Sequence, residues 1–254
     1  MGRPVRDVDV IILSYAKDDA SRQMTLDAIN SLIASEPDGS IRFVILVVES
    51  NKALAPFQYP RSKTIYPSLP FGYHRFLNIG IRHTASNFVC MCNNDLVFHP
   101  SWASTILREM EEDPMLMSAS PRCSIFHGQR GIDLGKKIRV GYENGIHVAG
   151  WCIFTRRALF EIIGPLDERF EFWYCDDDYR NTLRKHGIKH ALITGAVVDH
   201  LASKTIDNPT LSAEARWRYT VWQKLYYEYK WKHGSRATYV LKAIKYLAKR
   251  WLGR

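Results

Sequence analysis

The sequence predicts an α/β fold with a mostly parallel central sheet flanked by helices. Apolar runs of strand length alternate along the chain with segments whose apolar residues recur at helical spacing, and this alternation is typical of a parallel sheet. The 254 residues suffice for one large domain, or for one domain with an appendage. Because 46% of them are hydrophobic, we expect a sizeable core rather than disorder.

Three strands and three helices are predicted in the first part of the chain. The strands are short, continuous apolar runs, which suits strands that are buried on both faces, and each helix carries an apolar stripe. The third helix begins at Trp102 and ends before Pro114, because proline breaks a helix. The other elements predicted here are strands 8–14, 42–50 and 87–92 and helices 24–34 and 75–83.

The second part begins with a segment rich in glycine and charge, 121–146, which is expected to be a loop. Gly164 and Pro165 close a short helix, and Gly187 ends the next one. The chain is predicted to be helical after Pro209. The remaining predicted elements are strands 147–154 and 191–200 and helices 158–163, 176–186 and 236–252.

Charge and cysteine content limit the classes of partner and compartment. The net charge of +9 and the pI near 9.3 favour anionic partners. The basic residues are dispersed except near the C terminus, and without a recognisable motif no specific nucleic-acid partner is expected. Five cysteines without zinc spacing favour a reducing compartment. With no signal peptide and no apolar run of about 18 residues, the sequence predicts a cytoplasmic protein.

Polar residues stand at the ends of the predicted strands. Ser14, Glu49 and Asn93–Asp95 are expected to share a cleft, because ligands bind at the carboxyl ends of parallel strands. Asp95 offers the oxygen ligand that Mg²⁺ and Mn²⁺ prefer. His200, at the end of another strand, is a candidate nitrogen ligand, although a lone histidine at a strand end is more often structural.

Three consecutive carboxylates, Asp176–Asp178, begin a predicted helix. Carboxylates favour the positive end of the helix dipole, so helix capping is the simple interpretation. Three in a row exceed what capping needs, and close like charges raise one another's pKa unless a cation or a substrate intervenes. These carboxylates are therefore candidates for a chemical role.

These residues belong to a set of spaced motifs that resembles one known family. "VIILSY" (10–15) resembles the first strand of GT-A glycosyltransferases of the family 2 type, and "VVESN" (47–51) resembles their second-strand tip. "GYHRFLNIGI" (72–81) resembles their Gly-(x)5-Asn-x-Gly-Ile segment, and "NND" (93–95) resembles their DXD metal motif. "AGWCIFTRRALFEIIGPLDERF" (149–170) and "YCDDDYRNTLRKHG" (174–187) resemble the acceptor-side segments of the same family. The resemblance extends from Val8 to about Gly187.

Four positions depart from the family pattern. Glu49 replaces the more usual Asp at the second-strand tip, and Asn93 stands in the first acidic position of the DXD motif. Cys175 stands where the family usually has Glu, and Thr182 where Arg is common. A slip of one residue would make Asp177, rather than Asp176, the equivalent of the family's aspartate.

The resemblance implies a fold, a domain organisation and an activity. We expect a GT-A domain over 1–205, with a nucleotide-binding half 1–100 and an acceptor half 101–205, and a helical extension 206–254. The implied activity is an inverting transfer of a sugar from a UDP-, GDP- or dTDP-sugar to a hydroxyl of a glycan, lipid-linked or protein acceptor, assisted by Mn²⁺ or Mg²⁺. Asp176 would be the general base, and Asp95 and His200 the metal ligands. The substrate-binding residues implied are Ser14, Tyr15, Glu49, Arg75, Asn78, Asn93, Asn94, Trp151 and Asp178.

Several alternatives stay open at this point. Arg75 pairs with the diphosphate or is a solvated helix residue, and Trp151 stacks on a sugar or belongs to the core. A sugar nucleotidyltransferase is disfavoured, because "SYAKDDAS" (14–21) has no glycine in the loop where that class carries a Gly-rich one. A non-catalytic glycan- or nucleotide-binding module on the same fold is the other alternative.

The last predicted helix, 236–252, has a basic stripe opposite an apolar one. This pattern fits a helix that lies in a membrane interface, which would put the protein at the inner membrane face. It also fits a helix packed on the domain or on a partner.

Overall fold

In the residues that the structure describes, the fold is an α/β structure built on one nine-stranded sheet. The structure is a computed structural model and describes residues 5–130, 132, 137–201, 213–232 and 235–252. The strands are β1 Arg6–Ser14, β2 Ile41–Glu49, β3 Lys63–Ile65, β4 Phe88–Asn93, β5 Leu96–Phe98, β6 Leu116–Arg122, β7 Ile138–Val140, β8 Cys152–Arg156 and β9 Lys189–His200. The helices are α1 Asp19–Ala34, α2 Tyr73–Arg82, α3 Trp102–Glu112, α4 Ser124–Gly128, α5 Leu159–Ile163, α6 Cys175–Lys185, α7 Ala213–Trp217, α8 Gln223–Trp231 and α9 Arg236–Leu252, with a 3-10 turn at Lys52–Leu54 and a π-helical turn at Arg218–Trp222.

The sheet is parallel in its first half and mixed in its second. The strand order is β3-β2-β1-β4-β8-β6-β9-β5, and β7 pairs with β9. Neighbours among β1–β4 are parallel, as are β6 and β9, whereas β8 runs antiparallel to β4 and β6, and β5 and β7 antiparallel to β9. Cys152 at the start of β8 pairs with Cys92 near the end of β4, so β8 begins at the edge of the sheet where β4 ends. The predicted α/β class is confirmed, and the mostly parallel arrangement holds for the first half.

The longer predicted elements are present, with shifted ends. Helix α1 begins at Asp19, earlier than expected, because Asp18 forms a capping box in which its carboxylate accepts from Ser21 N at 2.8 Å. Strand β8 begins at Cys152 rather than at 147. The segment 121–146, expected to be a loop, contains α4 and β7.

Strand β6 is the largest element that the sequence did not predict. It lies inside the sheet although it contains two buried serines and a proline. The Ser118 hydroxyl lies 2.8 Å from both Tyr179 Oη and His190 Nδ1, and Ser120 Oγ accepts from Ala149 N at 3.0 Å. Burial of these hydroxyls is tolerated because each has a hydrogen-bond partner from a distant part of the chain.

Hydrophobic side chains fill both faces of the sheet. One cluster contains Trp102 of α3, which is fully buried, stacks on Phe43 and contacts Phe154 edge-on, and it includes the inner face of α1. The other joins the sheet to α2 and α6 through Leu77 and Leu183. This three-layer packing holds the carboxyl ends of β1, β2 and β4 at one edge.

The C-terminal helices pack on the second half of the sheet domain. Tyr226 and Tyr227 of α8 form a small cluster with Phe170 and Cys175. The expected boundary between 205 and 206 lies outside the described residues. No helix in the described ranges is long and apolar enough to cross a bilayer. All five cysteines are buried free thiols.

Candidate active site

The ends of β1 and β2 lie side by side at one edge of the sheet. Ser14 and Glu49 are register partners at the last positions of the two strands. Glu49 is fully buried, and its Oε1 accepts from Ala16 N at 3.1 Å and Asn51 N at 2.7 Å. Its Oε2 accepts from Tyr59 Oη at 3.2 Å. Glu49 therefore fixes the loops that follow both strands.

The side chains beside Glu49 differ in exposure. Ser14 is buried, and its hydroxyl lies 3.0 Å from Thr25 Oγ1. Tyr15 is half exposed, so its ring is available to a ligand. Asn94 donates to Thr25 Oγ1 at 2.9 Å, which ties the turn after β4 to α1.

Asn93 and Tyr73 join the end of β4 to residues 150–151. Tyr73 Oη lies 3.2 Å from Asn93 Oδ1 and 2.9 Å from Gly150 O. Asn93 N donates to Trp151 O at 3.0 Å. These contacts bring residues 150–151 directly against the tip of β4.

Asp95 and His200 meet at the other side of the same tip. Strand β5 pairs with β9 in a register that sets Leu96 opposite His200, and Asp95 Oδ2 lies 3.2 Å from His200 Nε2. Asp95 is almost fully buried. The structure thus brings together the two predicted metal ligands.

The pair fits a divalent cation with few protein ligands. Ligands at about 2.0–2.1 Å from an octahedral ion, at right angles, are about 3 Å apart, which is close to the observed separation of Oδ2 and Nε2. No cluster of three or more His, Cys, Asp or Glu side chains suited to a metal occurs among the described residues. Mg²⁺ and Mn²⁺ commonly complete such sites with phosphate oxygens and water.

Trp151 lies between the two halves of the site. Its ring stacks on His200, with centroids 5.1 Å apart and planes 1° from parallel. Its Nε1 is buried and has no hydrogen-bond partner within the described part of the chain. An unpaired buried donor is costly, so this nitrogen is available to a ligand that enters the cleft.

Asp176 lines a small cavity at the start of α6, together with Tyr73, His74 and Gly150. Gly150 is required there, because a Cβ at that position would lie 2.9 Å from the Cβ of Asp176. Burial raises the pKa of Asp176, and the neighbouring charge of Asp177 raises it further. A carboxylate with a raised pKa is suited to accept a proton near neutral pH.

Asp177 and Asp178 have different surroundings from Asp176. Asp177 is partly buried and forms an ion pair with Arg180 at 3.0 Å. Asp178 is buried, and its Oδ1 accepts from Trp231 Nε1 at 2.7 Å and from Lys230 Nζ at 2.7 Å. Burial raises the pKa of Asp178, while the charge of Lys230 opposes this rise. The carboxylate of Asp178 is thus already bonded to residues of α8. Its contact with a substrate stays a prediction that requires these bonds to open.

Two further predicted residues also have partners inside the protein. Asn78 donates to Leu166 O at 2.9 Å and accepts from Leu166 N at 3.0 Å, so its amide holds the loop before α6. Arg75 donates to Pro70 O at 2.9 Å and lies 3.4 Å from Glu168. Donor binding by Asn78 or Arg75 stays a prediction that requires these contacts to open.

The structure adds residues that the sequence did not single out as functional. Tyr73 connects Asn93 with Gly150, and Tyr59 donates a hydrogen bond to Glu49. Lys230 also lies 2.9 Å from Asp167 Oδ2, which accepts from Tyr226 Oη at 2.8 Å. Burial opposes ionisation of Asp167, but the donors Arg169 and Lys230 lower its pKa well below its usual range. The only sequence signal for this arrangement was the motif-like "YYEYKWKHG" (226–234).

Lys230→Met is expected to lower the free energy of unfolding by about 3 kcal/mol near pH 7, because it leaves the buried carboxylate of Asp178 and the partly buried carboxylate of Asp167 without this ammonium partner. The raised folded-state pKa of Asp178 means that its ionisation disfavours folding as pH rises, and removal of Lys230 strengthens this effect. The loss should therefore shrink on acidification to about pH 4, as Asp178 becomes protonated. Urea unfolding at both pH values measures it.

Lys242→Met is the matched control, because Lys242 forms an exposed pair with Glu228 at 3.0 Å. Its removal should cost less than about 1 kcal/mol at either pH. Equal losses for the two variants, or a Lys230→Met loss that does not change with pH, would contradict the interpretation.

Comparison with known proteins agrees with this architecture. Residues 9–164 match the family described as glycosyl transferase family 2. The catalytic domain of Drosophila β1,4-galactosyltransferase 7, solved with xylobiose, is 13% identical with a TM-score of 0.51, over 78% of this chain and 71% of that one. GalNAc-T7 with UDP, GalNAc and Mn²⁺ is 12% identical with a TM-score of 0.58, over 77% of this chain and 44% of that one. S. aureus TarS 1–349 is 15% identical with a TM-score of 0.52, over 74% of this chain and 60% of that one.

These likenesses carry different weight. The chain spans less than two thirds of GalNAc-T7 and of TarS 1–349, and identities this low establish the fold alone. No curated protein matches the chain at a significant level. The family match, in contrast, covers more than half of the chain and includes the ends of β1, β2 and β4. The chain therefore has the GT-A fold and belongs to glycosyl transferase family 2.

Proposed function

We propose that this glycosyltransferase moves a sugar from a nucleoside diphosphate donor to an acceptor hydroxyl with inversion at the anomeric carbon. One observation carries the proposal: Gly150 and Trp151 lie between the two candidate chemical centres. Gly150 packs against Asp176, and Trp151 stacks on His200 beside Asp95. A donor in the cleft would thus have its diphosphate at Asp95 and its sugar facing Asp176.

In this proposal the donor lies across the ends of β1, β2 and β4. The exposed ring of Tyr15 faces the base, while Glu49 and Ser14 shape the loops that receive it. We expect Glu49 to favour uracil, thymine or guanine over adenine. It would do so by fixing the backbone groups of the loops beside the base rather than by contacting the base itself. Asn93, Asn94 and Trp151 Nε1, which has no partner among the described residues, are the polar groups that we expect to contact the diphosphate and sugar.

Asp176 acts as the general base. Its carboxylate takes the proton of the acceptor hydroxyl as that oxygen attacks the anomeric carbon, and the bond from this carbon to the diphosphate oxygen breaks with its electron pair. Asp95 and His200 would hold Mn²⁺ or Mg²⁺, which neutralises charge on the leaving diphosphate when it is bound. One base and one displacement give inversion.

The acceptor is proposed to be a glycan, lipid-linked or protein hydroxyl that enters beside α6 and α8. A lipid-linked acceptor would lie at a membrane face, which fits the predicted membrane contact of residues 236–252. A non-catalytic binding module is the second candidate, and a single-turnover assay for released diphosphate distinguishes it.

Thermal unfolding in the presence of nucleotide-sugars tests the donor site. We expect at least one of the UDP-, GDP- and dTDP-sugars to raise the unfolding temperature, and more so with Mn²⁺, because a ligand that binds only the folded state stabilises it. An ADP-sugar is the matched control and should stabilise least. If none of these nucleotides stabilises the chain with or without metal, the proposed function is wrong.

A further inference from the structure

Helix α9 exposes a continuous apolar face. Val240, Leu241, Ile244 and Leu247 are 44%, 67%, 56% and 47% exposed. At about 100° per residue these four side chains fall within an arc of about 120°. Large apolar side chains concentrated in this way mark an interaction surface rather than the scattered apolar residues of an ordinary protein surface.

A different face of α9 attaches the helix to the protein. Tyr239 contacts Tyr229 and Trp222, with ring centroids 5.0 and 6.0 Å apart, and Ala243 is buried. Lys242 pairs with Glu228 of α8 at 3.0 Å. The packing on α8 thus uses the side adjacent to the apolar face, which stays uncovered by the described part of the chain.

The charge on α9 selects among possible occupants of this face. The helix contains five basic residues and no acidic one: Arg236, Lys242, Lys245, Lys249 and Arg250. Two copies that met through this face would bring like charges together. A surface of anionic headgroups instead attracts the basic residues while the apolar side chains enter the acyl boundary.

We propose that α9 lies in the interface of a bilayer that contains anionic lipids, with Val240, Leu241, Ile244 and Leu247 directed into it. The helix lies on the membrane rather than crossing it. Because α8 both carries α9 and binds Asp178 through Lys230 and Trp231, this contact presents the acceptor side of the site to the membrane surface. The proposal concerns binding and does not depend on catalysis.

Co-sedimentation of the full chain with lipid vesicles tests the proposal. We compare vesicles of phosphatidylcholine alone with vesicles of equal parts phosphatidylcholine and phosphatidylglycerol. We expect binding to the anionic vesicles to be at least about tenfold tighter, and to weaken as salt is raised, because the anionic surface attracts the basic residues of α9 and salt screens this attraction. Equal binding to both vesicles, or no binding to either, would overturn the proposal.

A paired variant isolates the apolar face. Leu241→Glu combined with Ile244→Glu should weaken binding to anionic vesicles by about tenfold or more, because two carboxylates replace inserted apolar groups. Met115→Glu combined with Ile162→Glu removes two exposed apolar residues elsewhere and should bind like the wild type. Far-UV circular dichroism confirms that the helices are retained.

Light scattering without lipid distinguishes a protein partner. We expect a monomer for the wild type and for both paired variants. A dimer that is lost only in the Leu241→Glu and Ile244→Glu variant would assign the face to contact between copies of the chain and would overturn the membrane proposal.

Discussion

Asp176→Asn is expected to reduce the rate of sugar transfer by a factor of about 10²–10⁴, the usual contribution of a general base. Asparagine keeps the shape of the side chain beside Gly150 but cannot accept the acceptor's proton. Nucleotide binding should not change, because Asp176 lines the small cavity beside Tyr73 and His74 at the start of α6 rather than the ends of β1 and β2. A radiolabelled or coupled diphosphate-release assay measures the rate, and thermal shift measures donor binding.

Asp177→Asn is the matched control for this variant. Asp177 is the neighbouring carboxylate and is already paired with Arg180, so its loss should change the rate by only a few-fold. The wild-type rate should fall on acidification with an apparent pKa above that of an ordinary aspartate, because burial raises the pKa of Asp176. If the transfer rate falls strongly in Asp177→Asn and only slightly in Asp176→Asn, the general base is Asp177 rather than Asp176.

Asp95→Asn is expected to reduce transfer by at least about 100-fold and to raise the Mn²⁺ concentration for half-maximal activity, because removing a ligand costs more than the 10–100-fold typical of residues that only support one. The neutral amide of asparagine can keep a hydrogen bond with His200 Nε2, but it lacks the charge that attracts a cation. Mn²⁺ binding in the presence of UDP, followed by electron paramagnetic resonance, gives a readout that does not depend on turnover.

Asp199→Asn is the control for the metal site. Asp199 is the adjacent residue of β9, but its carboxylate bonds His99 at 2.7 Å and Ser124 at 2.6 Å instead of approaching Asp95. Its change should leave Mn²⁺ affinity near the wild-type value. If Asp95→Asn binds Mn²⁺ as tightly as the wild type, Asp95 is not a ligand and the pair with His200 is purely structural.

The fold could be predicted where local sequence carries a strong signal. Strands β1, β2 and β4 are continuous apolar runs, and α2 and α3 have clear apolar stripes. Strands β3, β5 and β7 are three residues long, too short to show any periodicity. Strand β6 was missed for another reason: serines are typical of exposed segments, and only distant hydrogen-bond partners allow these two to be buried, Tyr179 and His190 for Ser118 and Ala149 N for Ser120.

The site could be predicted in outline and not in its contacts. Ser14 and Glu49 are register partners at the ends of β1 and β2, as the expected convergence of strand ends requires, and Asp95 lies beside His200, while the roles of these residues stay predictions. Glu49, Asn78 and Asp178 were expected to face a substrate, yet their polar atoms are engaged inside the protein. Short motifs specify which residue types occur together but not which neighbour uses their hydrogen bonds.

The sequence by itself determined the fold class, the family and the positions of the candidate base and metal ligand, because these follow from local periodicity and from the spacing of motifs along the chain. Only the tertiary structure decided the reversed direction of β8, the closeness of Asp95 to His200, the hold of α8 on Asp178 and the face of α9 that stays uncovered. Each of these joins segments that are distant in sequence, and such contacts are selected by how the whole core packs rather than by any local preference.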